Sequence, residues 1–131
     1  MPGYTKVNIK QDVEDMAPKY GLSPGLESRF ARTNLELGNS GLSYFKLAPG
    51  FRTPFGHKHS EQEEVYVVLS GSAEIKLDDE VLELGPLEAV RIAPGVMRGM
   101  AGGPDGAEIL AVGAPNTENR DVEMVQGWWS D

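Results

Sequence analysis

Cysteine is absent from the 131 residues, which excludes disulfides, thiolate metal sites and cysteine nucleophiles. That absence also fits a reducing compartment. No apolar run approaches the roughly 20 residues needed to span a bilayer. The segment Met1 to Asn8 lacks the apolar core of a signal peptide, so a cytoplasmic location is the expectation. Positive charge is scarce as well. Twelve Lys and Arg stand against 20 Asp and Glu, giving a net charge of −8 with the basic residues scattered. Such a field repels nucleic-acid phosphates. The expected partners are therefore small molecules and protein chains, with neither nucleic acid nor membrane. No Gly-rich phosphate loop, nucleophile elbow or Ser-His-Asp order is present, which leaves covalent catalysis by Ser or Cys without support.

What is present is the punctuation of an all-β chain. At this length one domain is expected, over 1–131. Gly and Pro recur at short intervals, favouring many short strands over long helices. Arg29 to Leu37 and Leu42 to Leu47 flank Gly38-Asn39-Ser40-Gly41 and read as a hairpin, although periodicity also admits a helix for the first arm. Val65 to Leu69 is a nearly continuous apolar run, the pattern of a strand buried on both faces. Ala73 to Leu77 alternates apolar and charged residues, Asp78-Asp79-Glu80 turns, and Val81 to Leu84 returns. After Gly85-Pro86 comes Ala89 to Ala93, and a last strand, Glu108 to Val112, follows a Gly-rich loop over 102–106. Seven or more strands in such a span fit a jelly roll or a sandwich. The ends carry less signal. Asp12 is placed to cap one helical turn reaching Met16. The tail from Asn116 is polar until Trp128-Trp129, which are expected to pack on the barrel or across a subunit boundary.

The chemistry concentrates between Gly56 and Gly71. This stretch holds both histidines of the chain, His57 and His59, followed by an acid cluster and a β-branched run. Residues two apart on a strand share a face, so the two imidazoles converge while Lys58 points away. Glu64 returns a carboxylate to the same point if a short turn intervenes. Two imidazoles and a carboxylate form the facial set that suits non-haem iron and related divalent ions.

The spacing His57-x-His59-x4-Glu64-x6-Gly71 resembles the first motif of the cupin superfamily. Its leading glycine falls one residue early, at Gly50, and Glu64 rather than Glu63 leaves six residues before Gly71. A second motif aligns with Leu87 through Gly102, by way of Pro94-Gly95, but keeps only Gly95 of its fixed positions. There Leu87 replaces a glycine, Ala93 the proline and Gly102 the asparagine, while Arg98 stands where the family's third metal-binding histidine belongs.

The resemblance, over roughly Leu35 to Ala114, implies a jelly-roll β-barrel with a short irregular N-terminal segment. The barrel core is expected at about 26–114, with an arm at 1–25 and a tail at 115–131. The resemblance also implies a homodimer and a divalent metal (Fe, Mn, Ni or Zn) on His57, His59 and Glu64, serving oxygenase or isomerase chemistry or small-molecule binding. Arg98 opens an alternative, since a guanidinium has no lone pair for a metal. It would pair with Glu64 inside a metal-free, non-catalytic ligand-binding or assembly module. Arg98, with Tyr66 and Met100, is then a candidate to hold a small polar or anionic molecule. For Tyr66 and Met100 the plainer reading is core packing.

Overall fold

Two long antiparallel strands form the spine of the computed structural model, which describes residues 3–129. They are β4 (Glu63–Leu77) and β7 (Arg98–Ala114), paired from Glu63↔Ala114 to Leu77↔Arg98. The others are β1 (Leu26–Phe30), β2 (Gly41–Leu47), β3 (Phe55–His59), β5 (Glu80–Leu84), β6 (Ala89–Ile92) and β8 (Val122–Gln126). Strand order runs β1-β2-β7-β3-β8, with β5 and β6 added along β4. The sheet curls on itself as the expected jelly-roll barrel. Met1, Pro2, Ser130 and Asp131 of the expected 1–131 domain lie outside the described residues.

The curl originates in the spine. Register shifts between Val68 and Ser70 and between Gly71 and Ala73 bend both strands at one level. Gly71, with φ +73°, lies back to back with Gly106, and a Cβ on it would collide with the Gly106 carbonyl. The Gly-rich segment 102–106, expected as a loop, is part of β7. A side chain at Gly102 would run into the Ala48 backbone and one at Gly106 into that of Leu47. Residues 103–106 have no partner in the β4 register, so the missing N–H of Pro104 costs no ladder bond there.

Other expectations shift in the same way. Val65 to Leu69 is not buried on both faces. Tyr66 and Val68 point into the core, whereas Val65 and Leu69 are 37% and 40% exposed. The run is apolar because its outward row is apolar too. The first hairpin arm is β1, ending at Phe30, with a helical turn over Arg32–Leu35 before β2. The turn after Leu77 is the pair Asp78-Asp79, since Glu80 already faces Leu77. At the N-terminus the cap is Asn8, whose side chain accepts from the Lys10 and Gln11 amides; Asp12 closes that turn by accepting from the Asn8 amide at 2.7 Å. The core joins Leu26, Leu47, Tyr66, Val68, Ile75, Ile92, Met100 and Ile109.

Residues past 114 contribute β8, whose five residues pair with all of β3. By contrast β3 meets β7 at the single pair His57↔Arg98. Trp128 then covers the junction from behind. A Cβ on Gly56 would lie 2.6 Å from its ring and one on Gly99 2.7 Å. Lys76 stacks over this ring at 4.5 Å and donates to the Trp128 carbonyl at 2.6 Å, while Arg52 lies over Trp129 at 4.9 Å. Both tryptophans therefore pack on the barrel.

Candidate functional site

His57 and His59 occupy alternate positions of β3 and meet edge to face, ring centres 5.3 Å apart. A short turn over 60–62 reverses the chain, and Glu64 is the second residue of β4. It shares the inward face of that strand with Tyr66 and Val68. Glu64 Oε1 stands 3.8 Å from His57 Nε2 and 3.5 Å from His59 Nε2. The three donor atoms all lie within 4.8 Å of one another. Two ligands each about 2.1 Å from a tetrahedral ion stand about 3.4 Å apart. The observed separations are close to that spacing and long for direct hydrogen bonds. The residues present fit a divalent ion, and His57, His59 and Glu64 could hold one.

Arg98 opens β7 directly opposite His57, in the place where the cupin pattern puts its third imidazole. Its side chain is 0% exposed. Nη1 donates to Glu64 Oε1 at 2.6 Å, Nη2 donates to the carbonyls of Val96 (2.9 Å) and Ala93 (3.4 Å), and Nε donates to Val96 at 3.1 Å. The Pro94-Gly95 turn that supplies these carbonyls is tied to the histidine strand, because the Gly95 amide donates to the His59 carbonyl at 2.7 Å. Burial alone would raise the Glu64 carboxyl. The nearby His57 imidazole and the charge of Arg98, helped by His59, outweigh it and hold Glu64 below the ordinary carboxylate range.

Behind His59 stands a residue that the sequence reading did not single out. Asp121 Oδ1 lies 3.0 Å from His59 Nδ1. Thr117 Oγ1 donates to the same oxygen at 2.6 Å, and the amides of Glu61 and Gln62 donate to Oδ2 at 3.0 and 2.9 Å. Burial works against its ionisation, yet Thr117, His59 and these two amides keep the Asp121 carboxyl well below the usual range. A carboxylate can only accept, so Nδ1 carries the proton of that bond. In the neutral ring the Nε2 lone pair is then left facing Glu64 and His57. The signal that could have found Asp121 is faint, one acid among several in a polar tail 62 residues from His59.

The other candidates are placed more plainly. Tyr66 is 1% exposed and Met100 6%, and both belong to the packed core. Burial pushes the Tyr66 phenol well above its ordinary value; the charge of Glu64 adds to this and Arg98 opposes it. A surface depression of about 340 Å³ between Lys46, Ser70, Asp105 and Glu108 does not include the histidines. The cluster meets solvent mainly through His57, whose side chain is 24% exposed against 4% for His59.

Comparison with known proteins decides the family. Residues 43–113 match the model of the cupin domain. The chain is a cupin. No curated protein matches this cupin in sequence. Among solved structures it is similar to a cupin protein from Bacteroides fragilis, at 27% identity over 89% of this chain and 88% of that one, with a TM-score of 0.72. Streptomyces PAC13, solved with uridine, shares the fold at 14% identity over 97% of this chain and 93% of that one, TM-score 0.75. Oxalate decarboxylase from Bacillus subtilis does so at 20% identity over 96% of this chain and 32% of that one, TM-score 0.76.

Proposed function

We propose that this cupin binds a small polar or anionic molecule at a divalent metal ion held by His57, His59 and Glu64. The observation that carries the reading is the orientation of His59. Asp121 occupies Nδ1 and leaves Nε2 turned toward a second imidazole and a carboxylate. Metal-ligating histidines commonly have a carboxylate on the far nitrogen, which fixes the ring and raises its basicity. A bound divalent ion would supply Lewis acidity toward an oxygen ligand. Arg98 keeps Glu64 ionised and in place, and the partly exposed His57 marks the side from which a molecule approaches.

A second reading rests on the 2.6 Å contact between Arg98 Nη1 and Glu64 Oε1. In it this ion pair takes the place of the metal, and the barrel is a non-catalytic ligand-binding or assembly module. Elemental analysis of untagged protein, purified without chelator or nickel resin, separates the two. Near-stoichiometric iron, manganese, nickel or zinc that is lost in His57→Ala supports the metal site and justifies a screen for oxygenase and isomerase chemistry. Protein that stays metal-free after equilibration with those ions supports the ion-pair module.

The same reading takes the chain as one cytoplasmic domain acting as a homodimer. The outward row that pairs Val65 with Val112, both exposed, supports a twofold contact on that face of the sheet. Among the described residues no helix is long and apolar enough to cross a membrane.

A further inference from the structure

We infer that metal binding at this site is coupled to an anionic co-ligand, because Arg98 has already neutralised the one carboxylate in the ligand set. The inference rests on the metal reading and adds to it the charge class of the bound molecule. His57 and His59 ligate as neutral rings. Glu64 brings one negative charge, but its Oε1 is hydrogen-bonded to a guanidinium that is fully buried and always charged. Three carbonyl contacts anchor that guanidinium, to Val96 twice and to Ala93 once, so it has no open path to swing toward solvent. Among the described residues, the other buried acid beside the cluster is Asp121, which lies behind His59. A divalent ion and Arg98 together bring three positive charges against one each from Glu64 and Asp121. One positive charge is left over in a largely buried site.

An anion that donates an oxygen to the ion cancels this surplus. It comes from the His57 side, the more exposed of the two histidines. It does not bind Arg98 directly, since that side chain is sealed from solvent. The chemical class is thus a small oxyanion held by the ion, for which acetate serves as the probe, with the buried guanidinium acting through its field. Two consequences follow from linkage. The anion tightens the metal and the metal tightens the anion by the same factor. Removing the charge of Arg98 strengthens the metal alone and weakens the coupling.

The test titrates chelator-stripped protein with Co2+, read by its visible absorption. Acetate is present or absent, at ionic strength matched with perchlorate. The expected result is a Co2+ Kd at least tenfold lower in acetate, and an acetate Kd lowered by the same factor when Co2+ is bound. In Arg98→Met, Co2+ alone is expected to bind at least tenfold tighter, with the coupling reduced below threefold. Equal Co2+ affinity with and without acetate overturns the inference and leaves the metal reading standing. Unchanged coupling in Arg98→Met removes Arg98 from it. No Co2+ bound under either condition overturns both. If Arg98→Met does not fold, the reciprocal pair of wild-type titrations still decides whether the coupling exists.

Discussion

The barrel carries two polar clusters made of similar groups, one on the inner face of β4 and one on the outer face. Inside, Glu64 meets Arg98, His57 and His59, with Asp121 behind. Outside, Glu27, Lys46, Glu108 and Ser70 form a cross-strand row of alternating charge over β1, β2, β7 and β4. There Tyr44 donates to Glu108 Oε1, Ser70 donates to Oε2 at 2.6 Å, and Lys10 and Arg29 bind Glu27 at 2.9 and 2.7 Å. In both clusters the carboxyls are held below their ordinary range. For Glu64 this happens against the cost of burial. For Glu108 the hydrogen bonds from Ser70 and Tyr44 are themselves the main cause. The inner groups have exchanged water for fixed partners and lose heavily if one partner goes. Most of the outer groups keep water as a substitute.

The sharpest way to break this comparison is to remove Arg98. Deleting one member of a buried ion pair typically costs about 3–5 kcal/mol. Arg98→Ala is expected to lose stability on that scale in urea denaturation with EDTA present. The added change Glu64→Gln should recover part of the loss, because no uncompensated carboxylate then remains. A loss under about 1 kcal/mol would show that Glu64 is as well solvated as an exposed acid, and the inside–outside distinction would fail.

How much of this was legible in the sequence depends on distance along the chain. His57, His59 and Glu64 lie within eight residues, so strand periodicity and one turn are enough to bring them together. Arg98 is 34 residues from Glu64, and only the family spacing placed it at the site. Asp121 is joined to His59 by the pairing of β3 with β8. Val122 to Gln126 does not announce that strand, since its alternation of acid, Met and Val faces solvent on most positions. The outward rows misled in a related way. Val65 and Leu69 read as doubly buried because apolar composition does not reveal which neighbours cover it. Gly102 and Gly106 read as part of a loop and Gly71 only as the end of a motif, whereas tertiary crossing of backbones is what requires all three.

Asp121 supplies the next test, smaller in stability and more specific to the site. Asp121→Asn keeps an acceptor for His59 Nδ1 but removes the charge, and loss of such outer partners typically lowers metal affinity about 10–100-fold. The pH dependence has a defined sign. The folded-state value is lowered, so the unfolded chain binds the extra proton first and stability rises with pH in that range. The contribution is fully present above the ordinary Asp value, about 3.9, and is lost as pH falls below it toward the lowered folded value. The stability gap between wild type and Asp121→Asn, measured by urea denaturation in EDTA, should shrink as pH falls below about 4. A gap that does not shrink below about pH 4 would mean that Asp121 is not held as a carboxylate by Thr117 and the two amides.

The smallest effect belongs to the outer cluster. Glu108→Gln leaves both oxygen-side contacts sterically possible and removes one charge from a row that retains Lys46, Lys10 and Glu27. Cross-strand charge pairs of this kind are worth about 0.2–1 kcal/mol. The expected loss is therefore about 1 kcal/mol or less, and it should shrink further in 1 M salt, where charges are screened over about 3 Å. The inner pair should show no comparable salt effect, because buried charges are screened much less. Urea denaturation of both variants at low and high salt thus measures the two clusters on one scale. A salt-insensitive loss at Glu108 as large as that at Arg98 would show that the Tyr44–Glu108–Ser70 bonds exclude water after all, and that the outer face holds a second buried polar network.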